Sequence, residues 1–203
     1  MRIIAGSFRG RKLEAPPGTA TRPITDRAKE TLFNILGARL GLPGQLPDVE
    51  VLDLFAGTGG LGLEALSRGA KSCLFVERDR RALAALRRNI ETLHAQAACR
   101  VSIENAWTMR VPPAAGGYGL VFVDPPYKDA LAPLPVIDLL ERLAPQLAPG
   151  GLIVFRHSHR SRLSLEGLRT LECVDQREVG TMRLWLFAAR AAGPETPPPD
   201  SPT

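Results

Sequence analysis

From residue 49 onward the chain repeats one pattern, an apolar strand-like run followed by a stretch with helical spacing. The apolar runs are VEVLDLF (49–55), SCLFVE (72–77), CRVSIE (99–104), LVFVD (120–124) and GLIVF (151–155). Helical stretches fall near 60–69, 79–94 and 133–147. Strands rich in Val, Ile, Leu and Phe suit burial on both faces, and intervening helices supply the crossovers that parallel neighbours need. The expected fold is therefore α/β with a mostly parallel sheet. After Gly167 the pattern changes to two strand-like segments near 168–178 and 180–189, joined at Gly180. They read as an antiparallel pair closing one sheet edge.

The segment before this pattern differs in charge. Residues 2–5 (RIIA) read as a short strand, followed by a Gly/Arg-rich turn and a Pro/Gly/Thr loop. A helix then starts at Thr25 as N-cap, with Ala28, Leu32, Ile35 and Leu36 on one face. Residues 1–40 hold eight Lys or Arg against three acidic residues, which accounts for the whole net charge of +5. Such a concentration suits a nucleic-acid footprint, and a solvated basic surface is the alternative. The expected organisation is a basic extension and helix over 1–47, a main domain over 48–190, and a disordered Pro-rich tail over 191–203.

No apolar run approaches the roughly 20 residues that span a bilayer, so no membrane role is expected and the protein reads as cytoplasmic. The three cysteines (Cys73, Cys99, Cys173) include no CxxC pair and read as reduced thiols. Cys73 and Cys99 fall in apolar runs and belong in the core.

The first core strand runs into VLDLFAGTGGLGLEAL, where Gly57, Gly59 and Gly62 form a GxGxxG between strand and helix. Nicotinamide enzymes share this spacing and an acid such as Glu77 at the end of the second strand. Asp53 shifts the balance. A carboxylate just before the loop would repel a pyrophosphate and attract a cation. S-adenosylmethionine has no phosphate and carries an ammonium and a sulfonium. Gly57 and Gly59 would let backbone approach it, with Glu77 accepting the ribose hydroxyls. A helix or turn cap is the alternative use of Asp53.

The fourth run ends as LVFVDPPYK (120–128). Pro125 and Pro126 hold the backbone extended and remove N–H donors, so acceptors dominate the strand end. Asp124 and the Pro125 carbonyl could accept both hydrogens of an exocyclic NH2. That would aim a poorly nucleophilic nitrogen at a methyl group, which is catalysis by orientation. Tyr127 could stack on an extruded base. A rigid turn is the plainer reading of the prolines alone.

The order of these motifs resembles the bacterial small-subunit ribosomal RNA guanine-N2 methyltransferases of the RsmD type. The resemblance is carried by RIIAGSFRGRKL (2–13), RPITDRAKETLFN (22–34), DLFAGTGGLGLEALSRGA (53–70), VERD (76–79), NAW (105–107) and VFVDPPY (121–127). It implies a Rossmann-like class I methyltransferase with a seven-stranded sheet and an antiparallel C-terminal edge. It also implies S-adenosylmethionine as donor and 16S rRNA, in an assembling small ribosomal subunit, as the substrate of a monomeric enzyme. By position, Asp53, Gly57 and Gly59 would hold the methionine end, Glu77 the ribose, and Asn105 and Ala106 the adenine, with Phe55 also among the cofactor-binding residues. Asp124, Pro125, Pro126 and Tyr127 would hold the guanine, and Arg9, Arg11, Lys12, Arg22 and Arg27 would face RNA.

Where the family often has an acidic residue before a histidine, this chain has Arg156-His157, and Arg156 reads as a candidate phosphate contact. His157 and His159 read as surface residues. Trp107 suits either packing beside the adenine or an ordinary core position. Other functions stay open: a methyltransferase with the same DPPY chemistry acting on adenine N6 or on a glutamine side-chain amide, a nicotinamide oxidoreductase, and a non-catalytic assembly factor.

Overall fold

In the computed structural model, which describes residues 1–16, 24–126, 130, 132–159, 161 and 163–191, the alternating pattern becomes one sheet. Helix α1 (Asp26–Arg39) is followed by β1 (Glu50–Leu54), α2 (Gly62–Ser67), β2 (Ser72–Val76), α3 (Arg80–Thr92) and β3 (Cys99–Ser102). Then come β4 (Tyr118–Val123), α4 (Pro133–Leu143), β5 (Leu147–Ser158), β6 (Leu171–Val179) and β7 (Met182–Ala189). The seven strands lie in the order β3-β2-β1-β4-β5-β7-β6. The first five pair in parallel, and β7 joins β5 and β6 antiparallel. The expected mostly parallel sheet with an antiparallel C-terminal edge is what forms.

Alternate residues of each central strand face opposite sides, the two-residue period of a pleated strand. Val51, Phe75, Leu120, Phe122 and Val154 pack with Leu32 and Phe33 of α1, Leu63 of α2 and Leu86 and Ile90 of α3. Leu52, Leu54, Val121, Val123, Ile153 and Phe155 pack with Val136, Leu139, Leu140 and Leu143 of α4. Both faces are covered, and every residue of β4 is buried. The helix expected to reach residue 147 stops at Leu143. Pro145 has no N–H to continue it, and Ala144–Gln146 tighten into a 3-10 turn.

The N-terminal segment departs from the expected strand over 2–5. A single antiparallel bridge, Arg2 to Lys12, forms there. The Ile4 and Ala5 amides instead donate to the Glu64 carboxylate on α2, at 2.8 and 3.1 Å. The same carboxylate takes Arg68 Nε at 2.8 Å and Lys29 Nζ at 3.5 Å, and Lys29 also donates to the Arg2 carbonyl at 2.7 Å. Lys29 and Glu64 are wholly buried, and that burial holds the Lys29 ammonium below its ordinary pKa. Gly6, at φ +80°, lies so close to α2 that a β-carbon would collide with the Ser67 carbonyl. Ile3 and Leu13 therefore share the cluster of α1 to α3. The Thr25 cap forms as expected, its hydroxyl accepting from the Ala28 amide.

Arg22, Tyr127 and the tail from residue 192 lie outside the described residues. Among the described residues no helix is long and apolar enough to cross a membrane. Cys73 and Cys99 are neighbours across β2 and β3, and all three cysteines are free thiols.

Candidate active site

Strand order reverses direction between β1 and β4, and in open α/β sheets ligands bind beyond the strand C-termini at such a point. Leu54 pairs with both Val76 and Val123, so the residues that follow these three (Phe55, Glu77 and Asp124) leave the sheet at one level. Asp53 lies one position deeper.

The glycine loop is closed by its own carboxylates. Glu77 Oε2 accepts the Gly57 amide at 2.8 Å, and its Oε1 accepts the Arg78 and Asp79 amides at 2.7 and 2.8 Å. Asp53 Oδ2 accepts the Gly62 amide at 2.9 Å at the start of α2, so the capping use of Asp53 is realised. The Gly59 amide bonds the Ala56 carbonyl at 2.8 Å. All three amides of the GxGxxG are thus engaged within the protein, and a pyrophosphate would find none of them pointing at it. Phe55 takes φ +60°, a conformation rarely held by a side-chain-bearing residue, and concentrated at functional sites. Its ring lies 5.0 Å from that of half-buried Trp107. Asn105 holds the next turn by accepting the Trp107 amide at 3.2 Å, and Ala106 is buried beneath it.

Asp53 is 1% exposed. Desolvation pushes its carboxyl up to about 8, opposed by the Gly62 amide; the charges of Asp124 and Glu77 push further and Arg156 opposes them. An acid so crowded by like charge is a place where a cation gains from binding. The cationic end of S-adenosylmethionine fits this donor set.

On the far side of the switch point, Asp124 meets Arg156. Val123 pairs with Phe155, which places the two following residues side by side on one sheet face. Arg156 Nε donates to Asp124 Oδ1 at 2.6 Å and Nη2 donates to Oδ2, a fork on both oxygens. Arg156 Nη1 also reaches the Met182 sulfur at 2.9 Å. The expectation of an RNA phosphate contact is therefore replaced. The guanidinium is 8% exposed and turned onto the carboxylate, because its β5 position faces inward. Sequence motifs give no sign of this pair, and the β4–β5 register is what creates it.

His157 also differs from expectation. It is 1% exposed, stacked 5.3 Å from Phe155 and edge-on to Trp185 at 5.2 Å. A position two residues after Phe155 shares its core-facing side, so the ring is buried with it. Desolvation pulls its pKa down to about 4, with Arg183 adding to the shift. Among the described residues no His, Cys, Asp and Glu cluster is placed to hold a metal.

Of the basic residues expected to face RNA, Arg9, Lys12 and Arg27 are exposed, and Arg11 is exposed while donating to the Thr92 carbonyl at 2.7 Å. Arg27 lines a cavity of about 490 Å3 with Thr25, Thr31 and Met182, the residue whose sulfur touches Arg156. Asn89, which no sequence motif singles out, ties this N-terminal surface to the glycine loop. Its side-chain amide donates to the carbonyls of Glu14 at 3.1 Å and Thr58 at 2.9 Å.

Comparison with known proteins agrees with this geometry. The chain is 42% identical over 170 residues to YlbH of Bacillus subtilis, provisionally named an rRNA methyltransferase, covering 80% of this chain and 85% of that one. It is 43% identical over 141 residues to ribosomal RNA small subunit methyltransferase D of Escherichia coli K12, covering 70% and 67%. The solved structure of the Escherichia coli protein yhhF, provisionally titled a methyltransferase, superposes with a TM-score of 0.73. It is 33% identical, with 95% of this chain and 99% of that one covered. The family model described as Conserved hypothetical protein 95 matches residues 1–188. The chain belongs to this family, that of the RsmD-type methyltransferases.

Proposed function

We propose that this protein transfers a methyl group from S-adenosylmethionine to the exocyclic N2 amine of a guanine in 16S rRNA. The observation that carries the reading is the allocation of groups at the switch point. The three glycine amides are already bonded within the protein, while the carboxyl groups of Asp53, Glu77 and Asp124 gather there and Asp53 lies buried close enough to feel the charge of the other two. That arrangement favours a cationic donor over a dinucleotide.

When bound, the cofactor supplies an electrophilic methyl group on a positively charged sulfur. Asp53 would face its ammonium, and Gly57 and Gly59 would let the loop backbone approach. Glu77, with a lone pair on Oε2 beyond the one the Gly57 amide uses, would accept a ribose hydroxyl. Phe55, Trp107, Asn105 and Ala106 would frame the adenine. On the other side, Asp124 and the Pro125 carbonyl would accept the two amine hydrogens and leave the nitrogen lone pair facing the methyl carbon. Pro126 keeps that rim rigid, and Tyr127 would stack on the guanine. The nitrogen that gains the methyl group would give up one proton, and the Asp124 carboxylate that already accepts its N–H would take it.

Arg9, Arg11, Lys12, Arg22 and Arg27 would track the phosphates of an assembling small subunit in the cytoplasm, the enzyme acting as a monomer. Residues 1–47 would act as the RNA-facing unit and 48–190 as the methyltransferase unit. Small subunits from a strain lacking this gene, incubated with labelled cofactor and digested to nucleosides, test the reading. N2-methylguanosine is expected. N6-methyladenosine in its place, or no label in small-subunit RNA, would overturn it.

A further inference from the structure

Arg156 is costly to the fold. A guanidinium in mid-strand, 8% exposed, loses most of its hydration, and an apolar pair at such a site is often as stable or more so. The fork onto Asp124 and the Met182 sulfur offset this. The sulfur is a weak acceptor, so of these two the carboxylate is the substantial one.

The fork also has a geometric consequence. The carboxylate of an aspartate turns readily about its terminal side-chain torsion, and Asp124 stands near Asp53 and Glu77, whose charges act on the same small region. A guanidinium bonded through two nitrogens fixes both the position and the plane of the oxygens. It uses one lone pair on each oxygen and leaves the other on each for a further donor.

We infer that Arg156 is a positioning residue for methyl transfer: it holds the Asp124 carboxylate in the plane from which its remaining lone pairs grip the substrate amine. The inference rests on the reading of Asp124 as amine acceptor. It gives the strand after β4 a part in the reaction without any contact to RNA or cofactor.

The test uses the full chain with undermethylated small subunits as substrate. Arg156→Gln keeps hydrogen-bonding capacity but loses the fork. It should lower kcat about 100-fold, while the cofactor Kd and the KM for RNA stay within about threefold of wild type. Arg156→Lys keeps the charge as a single point that reaches one oxygen, and should lower kcat about tenfold. Guanidinium ion added to Arg156→Ala should raise kcat and leave wild type unaffected. If Arg156→Gln does not fold, the lysine variant decides. A folded variant with wild-type kcat overturns the role, as does one with raised KM and unchanged kcat, the pattern of a phosphate contact. A wild-type protein that methylates nothing would instead remove the reading of Asp124 on which the role stands.

Discussion

Two carboxylate sites flank the switch point, and they are held by different means. Asp53 and Glu77, on the β1–β2 side, are bonded by backbone amides of their own loop, at Gly62, Gly57, Arg78 and Asp79. Asp124, at the end of β4, is held by a side chain from the neighbouring strand. A carboxyl group fixed by backbone amides shapes a loop, and a cationic ligand beside it favours its ionised form. One fixed by an arginine is already paired, and what it offers is an oriented set of lone pairs. The first arrangement suits binding a cationic donor, the second suits aiming an amine.

Breaking Asp124 gives the largest expected effect. Asp124→Ala should lower turnover by about 10^3-fold, the scale of losing one preorganised polar group at the reacting atoms. Cofactor affinity, read by calorimetry, should change by a few-fold at most. A comparable loss of affinity would erase the division between the two sites.

The next test sharpens the β1 side through pH. Burial raises the Asp53 carboxyl to about 8, and a cation beside it favours the ionised form. Cofactor affinity should therefore rise with pH toward about 8, binding should release a proton, and Asp53→Asn should flatten the profile. Without ligand the linkage runs the other way. The folded state holds the proton more tightly than the unfolded one, so this group lowers stability as pH rises from about 4 to about 8. Calorimetry in buffers of different ionisation enthalpy reads the released proton. A flat profile in wild type would place the cation elsewhere.

How far these sites can be read from sequence follows the same division. The glycine loop, Asp53, Glu77 and the strand-ending Asp124 are contiguous motifs, each bounded by turn residues and apolar runs. The alternation of strands and helices, and even the Thr25 cap, are local and equally legible. Arg156 and His157 escape a local reading because their surroundings come from strand pairing. The two-residue period sets which face each takes only once β5 is known to run on to Ser158, and that length and the residues alongside come from pairing with β4 and β7, which no local spacing encodes. The N-terminal segment misleads for a related reason. RIIA has strand composition, but pairing stops after Ile3, whose amide donates to the Arg11 carbonyl, and the Ile4 and Ala5 amides turn to the buried Glu64 carboxylate.

Glu77→Ala is expected to weaken cofactor binding by about 1–3 kcal/mol, since it removes a charged acceptor and frees the Gly57 amide. Unchanged affinity would leave Glu77 as a loop fastener alone. Neutralising Arg9, Lys12 and Arg27 together should flatten the log–log salt dependence of RNA binding by about 0.7 for each phosphate no longer neutralised, with cofactor binding unchanged. An unaltered slope would make these residues a solvated surface. The smallest effect is expected at His157. Its folded pKa is depressed to about 4, so wild type should lose stability as pH falls from about 6.5 toward about 4. His157→Phe should lessen that loss in a urea titration at acidic pH, and an identical acid sensitivity would discount this ring as its source.

The separation of binding from aiming is tested most directly by single-turnover methylation at saturating cofactor, with Glu77→Ala and Asp124→Ala run side by side. Filling the cofactor site should return Glu77→Ala to a rate close to wild type and leave Asp124→Ala slow. Recovery of Asp124→Ala at high cofactor, or a Glu77→Ala that stays equally slow, would contradict the account.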